Sequence, residues 1–393
     1  RNVTGVQTCA LPIYTAVNSP VVYRGDRLPK DLYGNVFVAE PAANVVSRII
    51  VEDDGTTLQS RKAYGKGEFL ASTDERFRPV YLSSAPDGTL SIVDFYRGVI
   101  EHHDYITEYL RDAIASRKLE EPRGLGRIYR VMHQTTQRGP APSLAGAPGA
   151  TLVRTLSHPN GWWRDTAQRL LVERGDKAVV PDLTALATSA PEATTRLHAL
   201  WTLDGLSALT PEMITRALDD RSRDVRVSAV RLAEPLLSTN AALQPAIVRA
   251  IGDQDWNVRA QVAATIGAMV PDARIQAAAL MLDRHGDEPV TVDALISGLQ
   301  GQELAVIERL TTATAQTPMR EQAIAVLAGT VVKANQDAAA RTLLDWASDD
   351  KRPAWQRAAI LQGAEVALLA AAMPGSRDRK STRLNSSHVS ESR

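Results

Sequence analysis

Two stretches, Ala217–Leu236 (ALDDRSRDVRVSAVRLAEPL) and Ala250–Met269 (AIGDQDWNVRAQVAATIGAM), decide how most of this chain is read. Each opens on an acidic turn, Asp219-Asp220 in the first and Asp253 in the second. A Val-Arg pair follows five or six residues later, Val225-Arg226 and Val258-Arg259, and small apolar residues then recur at helical spacing. Matching helix starts extend outward at Trp163-Arg164, Thr195-Arg196, Val290-Thr291, Met319-Arg320 and Trp355-Gln356. Successive starts are 32, 30, 33, 32, 29 and 36 residues apart. One helix pair cannot bury its own apolar face, so a repeat of this kind predicts neighbours stacked into a continuous core. The acidic residue is placed to cap the second helix, and the arginine to ladder from repeat to repeat. A charged recognition strip is the alternative reading of Arg164, Arg196, Arg226 and Arg259. Stacked pairs of this kind predict an α-solenoid over residues 151–372.

Upstream the period changes from helical to alternating. Val36 and Val38 alternate after Tyr33-Gly34-Asn35, and two strands flank Asp53-Asp54-Gly55, where glycine supplies a positive φ. Pro86-Asp87-Gly88 is a second turn, followed by a strand holding Leu90, Ile92 and Val93; "LGRIYRVM" is a further strand. Short strands joined by Asp-Gly turns predict a sandwich, barrel or propeller over residues 15–134. One helix interrupts, with Asp104 as its expected cap and Ile106, Tyr109, Leu110 and Ile114 as its apolar face. The Pro/Gly/Ala-rich run 135–150 reads as a linker.

At 393 residues the chain has room for two or three domains. Lys+Arg equals Asp+Glu at 45 each, without the basic stripe of a nucleic-acid binder. No apolar run reaches 18 residues, so no transmembrane segment is expected, and no signal-peptide pattern opens the chain. Residues 1–14, through "VTGVQTCALPIY", and residues 380–393, "KSTRLNSSHVSESR", resemble translated sequencing-adapter read-through. Irregular tails are the other reading, since neither end carries periodicity. On the first reading the chain is a fragment, and its single cysteine, Cys9, lies outside the natural part.

Candidate chemistry is sparse. His158, His198 and His285 are isolated, without metal-ligand spacing, and the six tryptophans read as core or groove residues. His102 and His103, after Glu101, could serve as ligands or a base, but adjacent strand residues face opposite ways. Asp94, a charge between Val93 and Phe95, needs a partner if buried; Arg76, Arg78 and Arg97 are the available cations. A strand-capping salt bridge and a catalytic role are both open for it.

Three segments carry a resemblance: Leu32–Gly55 (LYGNVFVAEPAANVVSRIIVEDDG), Phe77–Ile114 (FRPVYLSSAPDGTLSIVDFYRGVIEHHDYITEYLRDAI) and Glu120–Val131 (EEPRGLGRIYRV). They are similar to the C-terminal end of the propeller in planctomycete-type membrane-bound dehydrogenases, relatives of the glucose/sorbosone dehydrogenase family of quinoprotein β-propellers. The resemblance implies a multidomain β plus α protein: the last blades of a partial β-propeller, then the HEAT-type solenoid. It implies an exported parent, periplasmic or extracellular, that oxidises a sugar or alcohol with the quinone cofactor PQQ. Electrons would pass to a haem c domain, and that domain and the calcium-binding loop would lie in parts absent here. It also implies that Arg78, and with it Arg76, reaches the cofactor, since a guanidinium fork suits PQQ carboxylates. The fragment alone would be inactive. The alternative from a different class is a non-enzymatic propeller and solenoid that binds a glycan or a protein partner.

Overall fold

The computed structural model describes residues 16–372 apart from 101, 138, 300, 314 and 335, and the side chains of 103 and 370–372 are likewise not described. Both adapter-like stretches therefore lie outside the described residues. The chain divides into two compact units at Ala208/Leu209.

The first unit holds two antiparallel sheets and two helix pairs. β1 (Asn18–Val22), β2 (Val36–Glu40), β3 (Val45–Asp53) and β4 (Leu58–Lys62) form a meander in chain order, with β5 (Leu70–Ala71) also on β3. β6 (Pro79–Ser84), β7 (Leu90–Asp94) and, after the helix α1 (Glu108–Ser116), β8 (Arg127–Val131) form the second sheet. In β6 and β7, Leu82 lies opposite Ile92 and Ser84 opposite Leu90. Alternation thus sends Leu82, Leu90 and Ile92 inward, where they join Tyr23, Phe37 and Val46 in one core. Two meanders do not make a ring; the finding is a two-sheet β module.

Asp53-Asp54-Gly55 is a tight turn as expected, with Asp54 Oδ1 accepting the N–H groups of Thr56 and Thr57, both at 2.8 Å. Those bonds hold the exposed Asp54 carboxyl at about 2. The interrupting helix differs from expectation. Thr107, not Asp104, is its cap, its Oγ1 accepting from Leu110 N–H at 3.4 Å. Asp104 lies in a 3₁₀ turn ahead of it. Of the expected apolar face only Ile106 is buried, while Tyr109 is 80% exposed.

The linker run ends as the helices begin. α2 (Gly149–Thr155) pairs with α3 (Gly161–Arg174), and α4 (Val180–Ser189) with α5 (Ala193–Gly205). The second unit continues with α6 (Pro211–Leu218), α7 (Arg223–Ala233), α8 (Gln244–Ala250), α9 (Trp256–Ile266), α10 (Pro271–His285), α11 (Pro289–Ser297), α12 (Glu303–Thr311), α13 (Pro318–Lys333), α14 (Asp337–Ser348) and α15 (Ala354–Ala372). Every start expected from the repeat falls on the second or third residue of α3, α5, α7, α9, α11, α13 or α15. The helical region is solenoid-like, and its core is small and aliphatic, as in Ala229, Val230, Val262, Ala263 and Ile266.

Candidate functional site

Pro86-Asp87-Gly88 is the point on which the first unit converges. Gly88 sits at φ +82°, a conformation open to glycine and strained for other residues. Its carbonyl accepts the buried Tyr23 hydroxyl at 2.6 Å, and that same phenol oxygen accepts Leu28 N–H at 2.9 Å and Arg27 N–H at 3.2 Å. Asn160 caps α3 by accepting Trp162 N–H at 2.9 Å. Its amide also donates to Ala85 O at 3.2 Å and Pro86 O at 3.1 Å. The Trp163 indole N–H reaches Pro86 O at 2.8 Å. Arg24 adds an ion pair with Asp165 on α3. The second helix of the first pair, α3, is thereby hydrogen-bonded to a strand turn of the β module.

Arg78 lies half-buried just ahead of β6. Its Nε donates to Arg97 O at 2.9 Å, Nη1 to Pro41 O at 2.7 Å and Nη2 to Gly98 O at 2.7 Å. Burial pulls its pKa down, against the opposing charges of Glu75 and Asp94. Arg76 behaves alike: Nη2 donates to Lys118 O at 2.9 Å and to Glu121 O at 3.0 Å. A fork grips a carboxylate through two N–H groups on one edge. In Arg78 both edges face main-chain carbonyls, and in Arg76 the Nε–Nη2 edge does, so the two side chains staple three loops.

Asp94, 1% exposed, closes the same corner. Its Oδ1 accepts the N–H groups of Arg78 and Tyr96, both at 2.8 Å. Its Oδ2 has no hydrogen-bond partner among the described residues, and the paired cation is Arg127, with Nε at 3.9 Å. None of the three cations expected for it supplies a side chain. Arg78 turns to the carbonyls of Pro41, Arg97 and Gly98, and the Arg97 guanidinium lies over the Phe95 ring, 5.5 Å from its centroid.

The isolated histidines have structural partners. His158 stacks on Trp163 with ring centroids 4.9 Å apart, and His285 Nε2 lies 2.9 Å from Ile251 O. His198 Nδ1 lies 2.7 Å from Gln168 Oε1, and burial, aided by the nearby Arg164 charge, pulls its pKa down to about 4. His102 is exposed beside Asp104, while Glu101 and the His103 side chain lie outside the described residues. Among the described residues no group of three or more His, Cys, Asp or Glu could hold a metal ion.

The repeated arginines are structural. Arg164 and Arg196 are 4% and 3% exposed, too buried for a recognition strip. Each Nη1 binds carbonyls five and six residues back: His158 and Pro159 for Arg164, Ala190 and Pro191 for Arg196. Arg226 binds Asp220 O in the same way and also forks onto Asp253 of the next repeat, at 2.7 and 2.9 Å. Arg259 binds Asp253 O and pairs with Glu288, one repeat further on. The acidic turn thus divides its work: Asp255 caps α9, and Asp253 receives the ladder. Tyr23, Asn160, Arg24 and the buried Arg48, which donates to Asn35 Oδ1 at 2.7 Å, carried no sequence signal.

Residues 3–135 match the family model described as a domain of unknown function, DUF7133, and residues 243–273 match the HEAT repeat. The first match begins inside the adapter-like stretch and ends at the edge of the Pro/Gly/Ala run. No curated protein matches the chain. The class defined by fold and comparison is a two-sheet β module followed by a solenoid-like helical region with a HEAT repeat.

Proposed function

We propose that this chain works as a binding scaffold, with the β module anchoring a HEAT-type helical array that docks a protein partner. The observation that supports it most is the use of Arg76 and Arg78. The side chains best suited to hold an anionic cofactor are engaged by main-chain carbonyls at 2.7–3.1 Å. The Asn160 and Trp163 bonds to the Pro86 turn suit a rigid mount for the first repeats. Arrays of stacked helix pairs present extended surfaces for partners.

A second reading is favoured by the four-strand meander β1–β4, which has the topology of a propeller blade. In it the chain is part of an exported quinoprotein-like dehydrogenase acting on a sugar or alcohol, with PQQ and haem c supplied by other parts. One titration separates the two. PQQ with Ca²⁺ is added to the protein expressed from the untrimmed gene, which on the second reading carries the rest of the cofactor site, and binding is followed by cofactor fluorescence and by dye reduction with sugars and alcohols. The scaffold reading expects no saturable binding. Stoichiometric binding with dye reduction would overturn it.

A further inference from the structure

The row of second helices is not evenly packed in the second unit. α9 packs on α11 and α13 packs closely on α15, while α11 and α13 make little direct contact. Between them lies an open groove of about 640 Å³. Ile296 of α11, Ala325 and Val326 of α13 and Val366 of α15 give it apolar walls. Gly363 keeps α13 and α15 in close contact, because a Cβ there would collide with the Ala325 carbonyl. The apolar surface continues past the rim, where Val366 and Leu369, one turn apart, are each 58% exposed. The groove is charged in a graded way: Asp293 on α11 and Glu321 in the first turn of α13 are acidic, and Lys333 in the last turn is basic. Among the described residues Asp293 and Lys333 have no ion-pair partner.

We propose that this groove docks an amphipathic helix of a partner protein, antiparallel to α13, with an acidic first turn and a basic last turn. The proposal rests on the scaffold reading and says where and what the scaffold binds. The occupant is helical because the opening is a gap in a row of helices with helix faces on both sides, and such grooves take apolar anchors at i, i+3, i+4 and i+7. Its direction follows from charge. Glu321 and Lys333 are twelve residues apart along α13, about 18 Å at 1.5 Å per residue. A helix that is acidic at its start and basic at its end satisfies its own dipole. Run antiparallel to α13, it meets Lys333 with its acidic turn, and Glu321 and Asp293 with its basic one.

The test uses the full chain and a fluorescein-labelled synthetic helix of about four turns, with leucines at i, i+4, i+7 and i+11, glutamates in the first turn and lysines in the last. Fluorescence anisotropy should show saturable binding that disappears when the leucines are replaced by serine. Val366→Glu, at an exposed position, should weaken binding about tenfold or more by placing a charge on the apolar wall. Lys333→Glu should weaken it about two- to fivefold, and a peptide with lysines in its first turn should recover the loss. Circular dichroism checks that both variants stay folded. The proposal falls if the native chain shows no saturable binding, or if both variants bind as the native chain does. It falls equally if ending the chain after Ala372 raises affinity, since the chain's own tail would then be the occupant. Absence of peptide binding leaves the cofactor titration unaffected, so failure of this docking site and failure of the scaffold reading are told apart.

Discussion

Replacing Tyr23 with phenylalanine removes one oxygen atom from the first unit and tests how that unit is held. Tyr23 is fully buried, and its hydroxyl donates to Gly88 O while accepting from Leu28 and Arg27 N–H. The three partners do not suffer equally. Arg27 N–H also donates to Gly88 O at 3.1 Å, so that donor and that acceptor keep each other. Leu28 N–H is left with nothing. One lost hydrogen bond costs about 1 kcal/mol, and an orphaned buried N–H about 1–3 kcal/mol. Tyr23→Phe should therefore cost about 2–4 kcal/mol, less what the drier side chain returns. The chain has two units, so a single global unfolding curve is a poor readout. Amide hydrogen exchange is local, and the protection of Leu28 should fall about 30-fold or more, while amides of α13 are unchanged. There is also a pH signature. Burial raises the phenol above its ordinary value. Tyr23 thus contributes fully below about pH 10, and as pH rises further the unfolded chain ionises first and stability falls. Tyr23→Phe should abolish that alkaline loss. If Leu28 stays as protected in the variant as in the native chain, the Tyr23 hydroxyl is not what secures the turn.

Three further outcomes follow from the helical region. Arg226 and Asp253 are 18% and 12% exposed at their side chains, so a double-mutant cycle with Arg226→Ala and Asp253→Asn should give about 1–2 kcal/mol of coupling in urea unfolding of the second unit. Burial works to raise the Asp253 pKa, but the Arg226 fork outweighs it, so that stabilisation should be lost as pH falls below about 4. His198, held down to about 4 chiefly by burial, stabilises the first unit above its ordinary value near 6.5 and loses that contribution as pH falls toward 4. His198→Gln should flatten the pH dependence of α3–α5 exchange protection between 6.5 and 4; an unchanged slope would mean that His198 is not the titrating group.

Legibility followed the range over which each feature is encoded. The starts of the second helices were readable because the repeat writes the same local pattern seven times, and a shift of one or two residues cannot hide a period near 32. The turns at Gly55 and Gly88 were readable because a positive φ demands a particular residue. The cap of α1 was not: Asp104 and Thr107 are both good caps, and only the 3₁₀ turn at 103–105 decides between them.

The arginines show where such reading stops. Arg78 and Arg226 look alike in sequence, each a cation beside an acidic turn or strand. Arg226 found a side chain, Asp253, that repeats with it and so could be foreseen. Arg78 found the carbonyls of Pro41, Arg97 and Gly98, groups that every residue carries and that no residue name announces. The family resemblance matched the arginine and carried no information about these acceptors. Here the loops 41–42 and 97–98 close on Arg78 from two sides, and the same side chain becomes the staple that holds the corner together.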